Sequence, residues 1–346
     1  MPGIGVITNP RSRANKRDPS SMRRLGYLIG SRGSAEATSS LDDLYRVAEE
    51  FKRADIDILG INGGDGTIHH TLTAFLRTYA DKPMPLVAIL RGGTMNTIAN
   101  SYGIRGSPAD LLFELVDKYH DNDPFDVFDK AILAVGDAYG FIFGNGIVYN
   151  FLDAYYKTGD PSPAMAARLI LRAVASSLVG GEFARTLTRH FRARVTVDGD
   201  VWAREDFVAV AAACVEQIGL GFKPFYRWNE PDGFPVLGIH CPSAFSFAAE
   251  LPRVFAGRPM RRDKVIDAVA REVLFETDGP IEYIIDGDTY TADRRLRLGV
   301  GPTLRFIRLT GQPVSEPLAD GRAPAIAALP RAPAQAQPPS PPARVE

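Results

Sequence analysis

Residues 56–78 read IDILGINGGDGTIHHTLTAFLRT, and the order of parts in that stretch decides the fold. The apolar run Ile56–Ile61 predicts a short buried strand, and the spacing from about Thr67 to Thr78 predicts a helix. Between them lie Gly63, Gly64 and Gly66, which let the backbone turn tightly and aim its N–H groups at an anion. The helix N-terminus that follows adds partial positive charge. Asp65 would repel a phosphate by itself. It makes sense as a Mg²⁺ ligand or as the acceptor of a proton from an attacking hydroxyl. The bland alternative is a tight turn in which Asp65 caps a helix.

The same unit recurs on both sides. Downstream, the strand Leu86–Leu90 runs into Arg91-Gly92-Gly93-Thr94-Met95-Asn96 and a helix from Thr94 to Tyr102. Upstream, the strand Gly3–Thr8 ends in the polar, basic stretch Asn9-Pro10-Arg11-Ser12-Arg13. A helix begins near Ser40, whose capping-box partner is Asp43, and carries Leu44, Val47, Ala48 and Phe51 on one face. Ser107-Pro108 starts another helix, running to about His120. Strands alternating with helices through short loops predict an open, mostly parallel α/β sheet over residues 1–124. Three strand ends then meet at the carboxyl edge, where such sheets bind ligands. Neither GxxxxGK[ST] nor GxGxxG occurs, so this is neither a P-loop nor a dinucleotide fingerprint.

Past about Pro124 the rhythm changes to strands at Val127–Val135, Tyr139–Phe143, Phe191–Val197, Phe207–Ala213, Val236–His240, Val265–Glu276, Ile281–Ile285, Leu296–Leu298 and Leu304–Leu309. Turns at Asp198-Gly199-Asp200 and Asp286-Gly287-Asp288 separate several of them. Residues 125–315 are therefore expected to form a β-rich antiparallel sandwich or barrel, interrupted by helix at 164–189. Residues 316–346 are Pro/Ala-rich without periodicity and are expected to be disordered.

Bulk properties narrow the classes of function. Among 346 residues the formal net charge is −1, so no global positive field argues for nucleic acid. Two cysteines, Cys214 and Cys241, form neither a disulfide framework nor a zinc spacing, and they read as small buried hydrophobes. No run of about 18 apolar residues predicts a transmembrane segment. The start, MPGIGVITNP, has no basic stretch followed by a long apolar one, so no signal peptide is expected. A cytoplasmic protein is the expectation, peripheral at the inner membrane surface; a homodimer is compatible with it.

The ordered set of Asn9-Pro10, Gly63-Gly64-Asp65-Gly66-Thr67 and Gly93-Thr94-Met95-Asn96 resembles the catalytic domain shared by diacylglycerol kinases, sphingosine kinases and bacterial soluble lipid kinases. NAD kinases resemble it more distantly. The resemblance covers about residues 3–312 and implies an ATP- and Mg²⁺-dependent lipid kinase. It places Asn9, Ser12, Gly63, Gly64, Asp65, Gly66, Thr67, Gly93, Thr94, Asn96 and Asp288 around the nucleotide. Asp126, in Phe125-Asp126-Val127, is similar to an aspartate that helps hold the active site, and Asp232, in Pro231-Asp232-Gly233, to one that contributes to a metal site. With Asp65 these are the implied metal residues. Asp286 looks like a general base facing the glycine turn, with Asp65 as its metal- or hydroxyl-contacting partner, and the two roles can exchange. Without the resemblance, Asp286-Gly287-Asp288 reads first as a good hairpin turn.

Three positions depart from the family pattern: Arg13 replaces a glycine, Thr97 an aspartate, and Arg91 an apolar residue or proline. They leave the donor preference open. His69 and His70 are expected to face solvent or a partner in different directions. The basic residues Arg168, Arg172, Arg185, Arg189, His190 and Arg192 among apolar ones suit either a packed helix pair or a surface lying on anionic membrane. A diacylglycerol-like or sphingoid lipid is the expected acceptor, held in an apolar cavity between strands of the second half. The alternatives are an NAD kinase-like polar acceptor and a lipid- or nucleotide-binding regulator without turnover.

Overall fold

The computed structural model describes residues 3–12, 15–16, 26, 29, 33–159 and 162–311. Arg13 and the tail expected to be disordered lie outside them. The first sheet starts as expected: β1 (Ile4–Thr8), β2 (Gly33–Ala37), β3 (Ile58–Asn62) and β4 (Leu86–Ile89) lie parallel in the order β2-β1-β3-β4. Strands β1 and β3 are buried at every position, as a sheet covered on both faces requires.

The helices α1 (Leu41–Ala54) and α2 (Asp65–Thr78) connect β2 to β3 and β3 to β4, and α3 (Thr97–Ser101) and α4 (Pro108–Asp121) follow β4. In α1 the Ser40 hydroxyl accepts from the Asp43 N–H at 3.1 Å, the Asp43 carboxylate accepts from the Ser40 N–H, and Leu44, Val47, Ala48 and Phe51 form the buried face. Ser107 and Asp110 make the same capping box on α4.

The second half supplies β5 (Val127–Val135), β6 (Ala138–Gly140), β7 (Ile142–Asn145), the short β8 (Phe191–Arg192), β9 (Arg194–Val197), β10 (Asp200–Val201), β11 (Asp206–Phe207) and β12 (Ala209–Ala213). These are followed by β13 (Phe234–Ile239), β14 (Val265–Ala270), β15 (Glu272–Glu276), β16 (Ile281–Ile285), β17 (Asp288–Ala292) and β18 (Arg295–Ile307). An antiparallel sheet runs β14-β13-β12-β7-β16-β17. The remaining strands, apart from the β8–β11 ribbon, extend the first sheet: β18 pairs parallel with β4 at Phe306 and Ile307, and antiparallel with β5 and β15. The expected strand breaks near residues 299–303 collapse into this one strand, which absorbs Gly301 and Pro302 as a register shift between Val300 and Thr303.

The sheets meet through aromatic rings, Phe143 against Phe275 and Phe141 against Phe306. Helices α5 (Ile147–Tyr156), α6 (Pro163–Leu178), α7 (Glu182–Leu187), α8 (Ala244–Ala248) and α9 (Leu251–Phe255) lie in the second half, with α5 to α8 packed on one another.

Candidate active site

The two glycine turns lie backbone against backbone. A Cβ on Gly93 would stand 2.3 Å from the Gly64 Cα, and one on Gly92 would stand 2.4 Å from Asn62 Oδ1. Within the first turn, a Cβ on Gly63 would meet the Thr67 side chain at 2.4 Å. None of Gly63, Gly64, Gly66, Gly92 or Gly93 has a positive φ. The glycines are required for close approach, not for the unusual turn conformation that their number suggests. The first strand end joins them, since Asn9 Nδ2 donates to Thr67 Oγ1 at 2.9 Å. In the second turn, Asn96 folds back to accept from the Gly93 N–H at 3.0 Å and donate to the Gly93 carbonyl, while Thr94 is exposed. Two oxygens in this region are buried without a hydrogen-bond partner, Ser12 Oγ and Asn62 Oδ1.

Asp65 is the first residue of α2, but it caps a different helix. Its Oδ2 accepts from the Thr97 N–H at 3.0 Å and its Oδ1 from the Ile98 N–H at 3.1 Å, at the start of α3. The carboxylate therefore ties the two strand–helix units together. Burial raises its pKa, against the pull of those N–H groups and of the Thr97 hydroxyl.

Asp286 stands at the far end of the chain in the β16–β17 turn, with Asp286 at φ 50° and Gly287 at φ 98°, the two positive values of a tight hairpin. Its Oδ1 accepts from the Phe141 N–H at 3.1 Å and the Ile142 N–H at 2.8 Å. Only 5% of the residue is exposed. Burial first, then the charge of Asp65, pushes its pKa well above the usual carboxylate range. Asp288 completes the group: its Oδ2 lies 2.5 Å from where a Cβ on Gly66 would be. That oxygen is buried without a hydrogen bond, although His70 Nε2 is within 3.1 Å.

The structure thus gathers Asn9, the glycine turns, Asp65, Thr67, Asp286 and Asp288. It does not gather Asp126 and Asp232 with them. Asp126 is paired with Arg308 at 3.6 Å, and Asp232 with Arg271 at 3.4 Å. Among the described residues no three His, Cys, Asp or Glu side chains surround a point fit for a metal ion.

Several neighbours were not foreseen. His69, expected at the surface, is 1% exposed, because the hairpin covers this face of α2. Its spacing of four from Asp65 was the available signal. Tyr290 shares a strand face with Asp288 by the period of two. Tyr156 of α5 donates to the Gly287 carbonyl at 2.9 Å, and burial with the nearby Asp288 charge lifts its pKa to about 12. Both cysteines are buried, as expected.

Residues 3–128 match the profile of the diacylglycerol kinase catalytic domain. A solved diacylglycerol kinase structure from Bacillus anthracis is 16% identical, covering 88% of this chain and 96% of that one with a TM-score of 0.59. Two further structures from that organism, at 16% and 18% identity and with the same coverage, superimpose with TM-scores of 0.64 and 0.62. At these identities the likeness establishes the fold. No curated protein matches the sequence.

Proposed function

We propose that this chain transfers the γ-phosphate of ATP to a hydroxyl of a diacylglycerol-like or sphingoid lipid, with residues 1–124 holding the nucleotide and 125–315 the lipid. The observation that carries the reading is the packing of the acidic hairpin on the glycine turn, with Asp288 Oδ2 against Gly66 and the Asp65 charge raising Asp286. A buried carboxylate, Asp286, held against the charges of two half-buried ones, Asp65 and Asp288, is costly unless chemistry uses it.

The residues present fit Mg-ATP. Ser12 Oγ and Asn62 Oδ1 are buried and unpartnered, Asp288 Oδ2 faces only His70 Nε2 at 3.1 Å, and the N-terminus of the 14-residue α2 opens on the glycine turn. Magnesium is held by one or two carboxylates plus substrate phosphates, so a preassembled three-ligand cage is not required. Asp288, which faces His70 and accepts no backbone N–H as Asp65 and Asp286 do, is the carboxylate that would take it. Bound Mg-ATP supplies the phosphoryl group and the countercharge for its transfer. Gly93 keeps the second turn against the first, and Asp65 fixes α3 to α2. Asp286, its basicity raised by burial, takes the proton from the acceptor hydroxyl.

Beside the hairpin, Tyr155, Ala166 and Leu169 form a small apolar cluster with Met95, Phe151, Leu152 and Leu220. This is the place for the proximal part of the acyl chain. The expected cavity between strands of the second half has a counterpart in a space of about 530 Å³ bordered by Ile132, Leu133, Trp228, Phe234 and Val300, which suits the distal part of the chain. No helix among the described residues is long and apolar enough to cross a membrane. Docking instead falls to α6, which exposes Leu171 and Leu178, with Val179 beyond its end, at 66–82% beside exposed Arg168 and Arg172. We place the protein at the cytoplasmic face of an anionic bilayer.

Incubation with γ-labelled ATP, Mg²⁺ and separate lipid and NAD acceptors decides the matter. Label is expected in a lipid phosphate ester. Label only in NAD, or in no acceptor, overturns the proposal.

A further inference from the structure

We propose that His69 is a positioning residue that sets Asp286 against Asp65. This inference rests on the phosphotransfer reading above. His69 sits one turn after Asp65 on α2, and both its ring nitrogens are engaged: Nδ1 lies 2.6 Å from the Tyr139 carbonyl oxygen and Nε2 lies 2.6 Å from the Tyr290 hydroxyl. A carbonyl can only accept, so Nδ1 carries the hydrogen and Nε2 accepts from Tyr290. Burial holds the ring's pKa down at about 4, so it is neutral near pH 7, and burial with Asp288 keeps the Tyr290 hydroxyl protonated. The neighbouring titratable groups are His70 on the same helix, Tyr139 on β6, and Asp288 and Tyr290 on β17.

Each bond of His69 leads to Asp286 by a short path. Thr73, one turn further along α2, accepts from the Tyr139 N–H at 3.0 Å and donates to the Tyr139 carbonyl, so α2 grips both polar groups of that residue. Next in the chain is Gly140, where a Cβ would stand 2.8 Å from Asp286 Oδ2. The following two residues, Phe141 and Ile142, donate their N–H groups to Asp286. On the other side Tyr290 pairs with Tyr283 across the hairpin that carries Asp286. One ring therefore fixes the strand that orients the carboxylate and the hairpin that bears it, both relative to the helix that starts at Asp65. A misplacement of about 1 Å at a reacting group can cost about 100-fold in rate.

The test uses the full chain with His69→Phe, His69→Asn, His69→Gln and Tyr290→Phe. Asparagine can still donate to Tyr139, and glutamine can still reach Tyr290. His69→Phe is expected to lower kcat about 10- to 100-fold with the ATP KM within about twofold. The Asn and Gln variants should recover part of the loss, and Tyr290→Phe should show a smaller loss of the same kind. A second readout needs no turnover: the backbone amide signals of Phe141 and Ile142 in two-dimensional NMR should move in His69→Phe and move less in His69→Asn. Unmoved amides overturn the positioning role whatever the protein catalyses. Amides that move in His69→Phe, when the parent phosphorylates nothing, leave the coupling to Asp286 standing and sink the kinase reading. If His69→Phe does not fold, the Asn and Gln variants carry both readouts. A kcat equal to the parent's in both overturns the proposal.

Discussion

Asp198 and Asp286 occupy the same position in two hairpins of identical sequence, Asp-Gly-Asp. Both have φ near 50° and are followed by a glycine at positive φ. Both also accept two backbone N–H groups from another segment, Asp198 from Arg271 and Glu272, Asp286 from Phe141 and Ile142. Nothing local separates them. The difference is their surroundings, since Asp198 is exposed and Asp286 is buried within reach of the Asp65 charge. Asp286→Asn should therefore lower transfer by about 10²–10⁴ with nucleotide affinity retained, while Asp198→Asn leaves the rate within about twofold of the parent. The same substitution should raise stability near neutral pH. Between the ordinary carboxylate value and the raised one, the folded state holds a proton that the unfolded state lacks, so stability falls as pH rises through that window. The Asn variant is free of this loss, and its Oδ1 can keep both N–H donors. A Tm advantage that widens from about pH 4 up to the raised value, and levels above it where the ionised carboxylate can act as base, is the expected result; an advantage that narrows across that window would mean that folding lowers the pKa of Asp286. The glycine turns and the acidic hairpin were each legible in the sequence. Their meeting was not, because about 220 residues separate them and no local pattern encodes which face of α2 the hairpin covers.

At the scale of elements, the strand–helix units were readable because period and caps agree, as in α1, where the capping box and the apolar face coincide. Strand β2 was not, since its sequence GSAEA has no apolar alternation and is a strand only by pairing with β1. Helix α5 hid behind the β-branched and aromatic run IVYNFLDAYY, in which packing overrides propensity. The contact between the two glycine turns gives a graded prediction. Gly93→Ala pushes a methyl to 2.3 Å from backbone and should destabilise by about 1–3 kcal/mol in urea unfolding. Gly64→Ala, with 3.3 Å of room, should cost well under half of that. Equal costs would show that the turns do not touch in solution. On α6, Leu171→Asn with Leu178→Asn should weaken binding to anionic vesicles more than tenfold, because each buried leucine contributes about 1.5–3 kcal/mol. Arg172 is a poorer target than sequence suggests, as its guanidinium already lies 4.2 Å from the Phe183 ring. Unchanged partitioning of the double variant would remove α6 from the membrane.

For the whole molecule, β18 matters most. Its 13 residues pair with β15, β5 and β4, and Phe306 packs among Tyr102, Phe128 and Phe141, so one hydrophobic core runs through both halves. A single unfolding transition is expected. Fluorescence of Trp202 and Trp228, both in the second half, should coincide with the loss of helical circular dichroism, to which α1, α2 and α4 of the first half contribute heavily. Two separated midpoints would show that the halves unfold independently. Phe306→Ala should shift both signals together, by about 3–5 kcal/mol. This shared strand also sets a schedule for synthesis. When β4 leaves the ribosome its outer edge has no neighbour, and the strand that covers that edge is made about 220 residues later. At ordinary elongation rates the wait lasts roughly 10–40 s. Throughout it, the nascent chain presents an unpaired parallel edge made of Leu86, Val87, Ala88 and Ile89. The cell must shield that edge until the last strand arrives, so output of folded protein should depend on chaperone supply more than the stability of the finished molecule implies.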